Sequence, residues 1–322
     1  MKYFFILNPG SRSGASEKSF ARLQHLLKWC SIEYEYAVTK DLDEAYSLSA
    51  QGNRQGYDSI VAVGGDGTIN RVLNGFYDKE GRRISHAALG VIYTGTSPDF
   101  CKNYHIPLRR KSAVDALIHN KIQRIPIGKI TYAQDFDKRL HKESIAHCNN
   151  TESRYFALCA NFGMGPMIAH YANTGMRNIF GDYTGTLFSL LRSLLSYCPG
   201  DFTLYADEKR EVAKRVYNIS VGRSYYIASG LKIKHTLADN REYFYTMIVR
   251  NVNYVNLWSI LKMLYRGDEI KNNEVISLRY NRGIEIYGNV TNPRIEFDGD
   301  PAAGYLPCKI EMARDMLDII VE

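Results

Sequence analysis

Two grammars of apolar spacing divide the chain. As far as about Arg124, short aliphatic runs alternate with helically spaced segments: Tyr3 to Leu7, a helix from Glu17 to Trp29, Tyr34 to Val38, a helix from Asp41 to Gln51, Ile60 to Gly64, and Ala87 to Tyr93 before a helix from Ser112 to His119. Strand, loop and helix in regular succession predict βαβ units and an open parallel sheet. Beyond Arg124, alternating β-branched and aromatic segments take over: Ile125 to Tyr132, Tyr155 to Asn161, Phe202 to Ala206, Val216 to Gly222, Tyr243 to Val249, Ile284 to Tyr287, Arg294 to Phe297 and Lys309 to Met312. These predict an antiparallel sandwich or barrel, interrupted by helices near Thr186 to Tyr197 and Leu257 to Tyr265. The fold class expected is therefore α/β with a β-rich second domain, residues 1–124 and 125–314. The apolar run Leu187 to Leu195 reads as membrane-facing or packed on the sheet, and packing is the favoured reading.

The pattern is sharpest at Ser59 to Asn74. Aliphatic residues lead into Gly64-Gly65-Asp66-Gly67, and Thr68 opens a helical spacing of Ile69, Val72, Leu73 and Phe76. Strand, tight loop and helix place free amides and a helix dipole over one point, which suits an anion such as phosphate. Asp66 is an exception in that electropositive nest. Its carboxylate makes sense where a divalent cation or a substrate hydroxyl intervenes; the alternative is a Gly-rich turn whose Asp bonds its own loop. The four strands end in polar or glycine-bearing loops, at Asn8 to Gly14, Thr39, Gly64 to Gly67 and Thr94 to Phe100, and parallel strand ends share one edge.

Composition changes this picture little. The 322 residues are 45% hydrophobic and 23% charged, as in globular proteins of about two domains. A net charge of +7 suits an anionic partner, a nucleotide phosphate or an acidic membrane surface, without choosing one. The basic clusters Arg109-Arg110-Lys111 and Lys209, Arg210, Lys214, Arg215 read as solvated surface. Six dispersed cysteines show no zinc spacing and read as reduced core residues. No 18-residue apolar run is present, and the amino terminus reads as a first strand rather than a signal peptide.

Taken in order, Asn8-Pro9 with Gly14, Gly64 to Asn70 with Val72, Asn74 and Gly75, Gly95-Thr96 with Asp99-Phe100, Asn161-Phe162-Gly163 with Gly165, the run Gly181 to Leu195, and Asp298-Gly299-Asp300 resemble the diacylglycerol kinase catalytic family. That family includes bacterial lipid kinases and sphingosine kinases and is distantly related to NAD kinases. The resemblance covers almost the whole chain. It implies a nucleotide-binding α/β domain, a β-rich lipid domain, a cleft between them, and a last strand at about 315–322 that returns to the first domain. ATP would lie over the strand ends, with Asn8, Pro9, Gly10, Ser11, Arg12, Thr39, Gly64, Gly65, Asp66, Gly67, Thr68, Ile69, Asn70 and Thr96 at the nucleotide site. Mg²⁺ would assist, Asp66 and Asp300 would be catalytic, and Asp300 would be the general base. A lipid hydroxyl would take the γ-phosphoryl group, so transient contact with a membrane surface and a cytoplasmic, peripheral location are expected, with no nucleic-acid partner.

Departures from the family pattern motivate a second reading, a nucleotide- or lipid-binding protein without turnover. Asp300 replaces Glu and loses roughly 1.5 Å of reach. Pro98 replaces Asn and removes an amide donor. Arg71 stands where many members have Glu and reads as a solvent-facing residue or an added phosphate contact. The segment Asp239-Asn240-Arg241-Glu242-Tyr243 is degraded from one that holds a structural Mg²⁺ in some members, so no metal ligands are assigned. A soluble-metabolite kinase nearer NAD kinase is a third possibility.

Overall fold

The computed structural model describes the chain apart from residues 10–14, 31, 136–144, 172–196, 229, 238–239, 289–294 and 303. The chain forms two compact units: Met1–Ile127 with Ala313–Glu322, and Gly128–Met312.

In the first unit the strands are β1 (Tyr3–Leu7), β2 (Tyr34–Val38), β3 (Ser59–Gly64), β4 (Ala88–Tyr93) and β5 (Lys121–Ile125). The last strand of the chain, β19 (Leu317–Val321), completes a six-stranded sheet in the order β2-β1-β3-β4-β19-β5. All pairs are parallel except β19 with β5. Strands β1 and β3 are buried on both faces, which is why they read as unbroken aliphatic runs, whereas β2 lies at the edge and is partly exposed. The helices are α1 (Ala15–Trp29), α2 (Leu42–Gln55), α3 (Asp66–Asn74), α4 (Asp99–Asn103) and α5 (Arg110–His119). Asp41 caps α2 by accepting the Glu44 amide, and Gly56 ends it in the left-handed region. Leu23 and Leu27 of α1 and Val114 and Leu117 of α5 share a core with Phe5, Val61 and Ile92. The carboxylate of Asp318 holds β19 through Arg83 at 2.7 Å and Arg124 at 3.0 Å.

The second unit is antiparallel. Its strands are β6 (Gly128–Ala133), β7 (Thr151–Phe156), β8 (Cys159–Gly163), β9 (Gly200–Ala206), β10 (Lys209–Gly222), the short pair β11 (Tyr226–Ile227) and β12 (Leu231–Lys232), β13 (Phe244–Arg250), β14 (Ile276–Asn281), β15 (Ile284–Gly288), β16 (Ile295–Phe297), β17 (Asp300–Ala302) and β18 (Tyr305–Met312). The eleven-stranded sheet runs β17-β16-β8-β10-β9-β15-β18-β6-β7, with β13 and β14 branching from β10. Among the described residues this path does not close into a barrel. Helix α6 (Met164–Tyr171) follows β8, and α7 (Tyr254–Arg266) has a reciprocal cap between Asn253 and Asn256 and buries Leu257, Leu261 and Leu264 in a second core.

The expected α/β plus antiparallel-β class is borne out. Three details differ. The segment Ile125 to Tyr132 is two elements, β5 in the first sheet and β6 in the second; Pro126 between them has no amide to donate to a ladder. The segment Tyr155 to Asn161 also divides, at Ala157-Leu158, because those two amides bond to a side chain instead of a strand. Strands β11, β12, β14 and β17 and helices α4 and α6 were not anticipated by the apolar pattern. The helix expected at Thr186 to Tyr197 lies, apart from Tyr197, outside the described residues, as does Asp239.

Candidate active site

The C-terminal ends of β2, β1, β3 and β4 form one row, because Leu7 is in register with both Val38 and Val63, and Gly64 with Tyr93. The chain order reverses at β1 and β3, so the loops leaving these neighbours diverge and open a crevice at the strand ends. Asn8, just past β1, donates its amide to Val63 O at 3.1 Å and its side-chain amide to Thr68 Oγ1 at 3.0 Å. The first loop is thereby tied to the first turn of α3.

Gly65 is the N-cap of α3 and offers no side chain to its first amides. The Ile69 amide donates to Gly65 O at 3.0 Å, so it is committed to the helix. Space decides the glycines. A Cβ at Gly64 would lie 2.4 Å from Thr68 Oγ1, and one at Gly95 only 2.6 Å from Gly65 Cα, so the β3 and β4 loops meet backbone to backbone. A Cβ at Gly67 would meet nothing within 4 Å: this turn faces open space. Thr39 is buried, its amide is taken by Leu7 O at 2.8 Å, and its hydroxyl has no hydrogen-bond partner among the described residues. A helix whose N-cap supplies no side-chain cap, a close-packed glycine pair and a buried hydroxyl on one strand edge fit a nucleotide phosphate.

Asp66 opens α3 half-buried, and its Oδ2 accepts the Asp99 amide at 3.2 Å. Together with burial, its charge pushes the Cys101 thiol up. Among the described residues no group of three or more His, Cys, Asp or Glu could hold a metal ion. A single carboxylate still fits Mg²⁺ of the kind held by one protein ligand and phosphate oxygens. Arg71 is paired with Asp43 of α2 at 2.8 Å. Pro98 is the N-cap of α4 and supplies no side-chain cap. Thr96 sits half-buried in the same loop. Ile69 and Asn70 point inward, where Asn74 donates to Asn70 O and Oδ1.

In the second unit Asp298 and Gly299 have φ of 50° and 82° and join β16 to β17 in a two-residue turn, with Phe297 opposite Asp300. This is the Asp-Gly hairpin signal. Its acids are buried: Glu296, Asp298 and Asp300 are 5, 5 and 4% exposed. The Asp298 carboxylate accepts the amides of Ala157, Leu158 and Cys159 at 2.7, 2.8 and 3.1 Å, so it fixes the turn against the β7–β8 connection. Glu296 accepts from the Gly299 amide and, at 2.7 Å, from Asn161. Burial pushes its pKa up to about 7; the charges of Asp298 and Asp300 add to this, and the two hydrogen bonds oppose it.

Residues 2–130 match the family model described as the diacylglycerol kinase catalytic domain. The resemblance to diacylglycerol kinases is borne out. A diacylglycerol kinase of Staphylococcus saprophyticus is 26% identical over 306 residues, 94% of this chain and 89% of that protein. One from Staphylococcus aureus is 23% identical over 325 residues, 98% and 90% of the two chains. Among solved structures, a putative diacylglycerol kinase from Bacillus anthracis superposes with a TM-score of 0.73 at 15% identity, covering 100% of this chain and 97% of that one. A second from the same organism gives 0.69 at 16% identity. These two likenesses establish the fold.

Of the residues that the diacylglycerol kinase resemblance singles out, Asn8, Pro9, Thr39, Gly64, Gly65, Asp66, Gly67, Thr68 and Thr96 lie at the strand-end row or on its loops. Gly10, Ser11 and Arg12 lie outside the described residues. Glu296 is not singled out by the sequence; Asn161 and Asp99 are, as motif residues without an assigned role. The Asp-Gly turn two residues on was the available signal for Glu296; nothing in the local sequence announces that Asn161 lies beside it.

Proposed function

We propose that this chain is an ATP-dependent lipid kinase that transfers the γ-phosphoryl group to a hydroxyl of diacylglycerol, a sphingoid base or a related lipid. The observation that carries this reading is the cradle at the strand ends: the uncapped start of α3, open space at Gly67, and the backbone approach of Gly65 and Gly95. Asn8, Pro9, Thr39, Gly64, Gly65, Gly67, Thr68 and Thr96 bind the nucleotide, joined by Gly10, Ser11 and Arg12, which follow Asn8-Pro9 in the sequence motif. Ile69 and Asn70 pack the helix behind it. Bound ATP and Mg²⁺ supply the transferable group and neutralise its charge, and Asp66 is the carboxylate that would hold the cation. Asp300 takes the proton of the acceptor hydroxyl as that oxygen bonds to phosphorus; the bond between γ-phosphorus and bridging oxygen breaks, and ADP leaves. The lipid is met by transient contact with a membrane surface; no described helix is long and apolar enough to cross one.

The test is transfer of label from γ-labelled ATP, with Mg²⁺, to diacylglycerol, sphingosine and NAD, comparing wild type with Asp66→Ala and Asp300→Ala. Lipid labelling that both substitutions abolish is the expected result. Labelling of NAD alone would redirect the assignment to a soluble metabolite. The shorter carboxylate of Asp300 and the uncapped Pro98 favour one other reading, nucleotide binding without turnover. Thermal stabilisation by ATP with no labelled acceptor would establish it.

A further inference from the structure

A row of polar side chains crosses three strands of the second unit. Glu296 of β16 is in register with Asn161 of β8, and Asn161 with Ser220 of β10. On the other face the neighbours Ile295, Phe162 and Ile219 are core. Helix α6 packs over this part of the sheet, and the Gly165 amide reaches down to Asn218. A Cβ at Gly165 would lie 2.7 Å from Asn218 Oδ1, so only glycine brings the helix this close.

The hydrogen bonds run one way. Gly165 N–H donates to Asn218 Oδ1 at 2.7 Å, Asn218 Nδ2 to Ser220 Oγ at 2.9 Å, Ser220 Oγ to Asn161 Oδ1 at 2.6 Å, and Asn161 Nδ2 to Glu296 Oε2 at 2.7 Å. From the other side the Gly299 amide donates to Glu296 Oε1. Both ends of the chain are backbone N–H groups, which cannot accept. Asn218 and Ser220 each pass one bond on for the one they receive, and Asn161 donates both to Glu296 and, at 3.4 Å, to Cys159 Sγ. The row converges on Glu296 with donors only, and an ionised carboxylate, which accepts and does not donate, suits that end best. A protonated Glu296 keeps its carbonyl oxygen as an acceptor, but its hydroxyl oxygen accepts more weakly and brings a proton for which the row offers no acceptor, so the bond from Asn161 or from Gly299 weakens.

We propose that Glu296 is a positioning residue for Asp300: ionised, it locks the Asp298-Gly299 turn to the Asn161-Ser220-Asn218 row and α6, and protonation releases that lock. The inference rests on the kinase reading for its effect on turnover, and on the hydrogen bonds alone for the lock. The groups around Glu296 set where it titrates. On its own hairpin these are the Asp298 and Asp300 carboxylates, and on β8 the buried Cys159 thiol. On β13 the Tyr245 phenol, beside Cys159 and Asp298, is held neutral by burial. Ser220 and Asn218 of β10 are uncharged, as are Met164, Pro166 and Met167 of α6. Like charges and burial act together, which brings the transition near pH 7.

The experiment pairs two readouts on the full chain. Glycine-selective ¹⁵N NMR follows the Gly299 and Gly165 amides from pH 5.5 to 8.5, and kcat is measured over the same range with ATP, Mg²⁺ and diacylglycerol in mixed micelles. The two amides are expected to titrate together in the wild type, and kcat to fall about tenfold between pH 8 and pH 6 along the same curve. Glu296→Gln mimics the neutral state, so it should show flat amide shifts and the low kcat at both ends. Amide shifts that do not move with pH, or a Glu296→Gln enzyme with the wild-type profile, would overturn the proposal. Absence of lipid turnover would remove the kinase reading, and the amide titration would still decide the lock.

Discussion

The Asp298 carboxylate accepts the Leu158 amide at 2.8 Å across 140 residues of chain. A hairpin near the carboxyl terminus is thereby held by a connection in the middle of the second unit, and the general base proposed above sits two residues from that anchor.

Replacing Asp298 by Asn should cost about 3 kcal/mol. A neutral amide cannot accept all three of the amides from Ala157, Leu158 and Cys159, and a buried N–H left unpaired carries its full desolvation penalty. Urea unfolding should show a lower midpoint at an unchanged slope.

The two glycines at the strand-end loops should behave differently. Gly95→Ala must push Gly65 away, since its Cβ would come to 2.6 Å of backbone, and should lose both stability and ATP affinity, the latter by at least about tenfold, or 1.4 kcal/mol. Gly67→Ala meets open space, so its melting temperature should hold within about 0.5 kcal/mol of stability while ATP binding weakens. Calorimetric titration with ATP beside thermal melts separates the two outcomes.

Asp318→Asn should destabilise the protein by about 1 kcal/mol at pH 7. Burial raises the pKa of this carboxyl, but hydrogen bonds and charge from Arg124 and Arg83 outweigh it and hold the group below the usual range. A lowered carboxylate stabilises above its unfolded pKa and loses that contribution as pH falls through the folded value. Wild type and variant should therefore converge in acid denaturation curves below about pH 4.

His235 is stacked on Tyr225 with ring centroids 4.1 Å apart, and burial lowers its pKa to about 4. Its Nδ1 accepts the Leu237 amide, and hydrogen bonding with the backbones of Arg223 and Ser224 opposes the effect of burial without overcoming it. The unfolded chain takes up a proton at this residue near pH 6.5, so stability should fall as pH drops from about 6.5 toward 4, by about 3 kcal/mol in all. His235→Phe should flatten the melting temperature across that window.

The first unit was legible because its signals are local. The strand ranges at Tyr3 to Leu7 and Tyr34 to Val38 coincide with β1 and β2, and aliphatic runs between glycine loops can do little else in a buried parallel sheet. The second unit was legible in class and less so in detail. A period-2 pattern marks strands without saying where one ends, and the break at Ala157-Leu158 depends on a carboxylate far along the chain.

By itself the sequence determined the βαβ start, the glycine loop with Asp66, and the Asp-Gly turn before Asp300, since each follows from spacing and turn chemistry within a few residues. Only the tertiary structure decided that Arg71 faces Asp43, that Gly95 lies against Gly65, and that Glu296 ends a polar row beginning at Gly165. Those relationships join residues that strand register and helix packing bring together, and nothing in the spacing along the chain encodes the partner across the sheet.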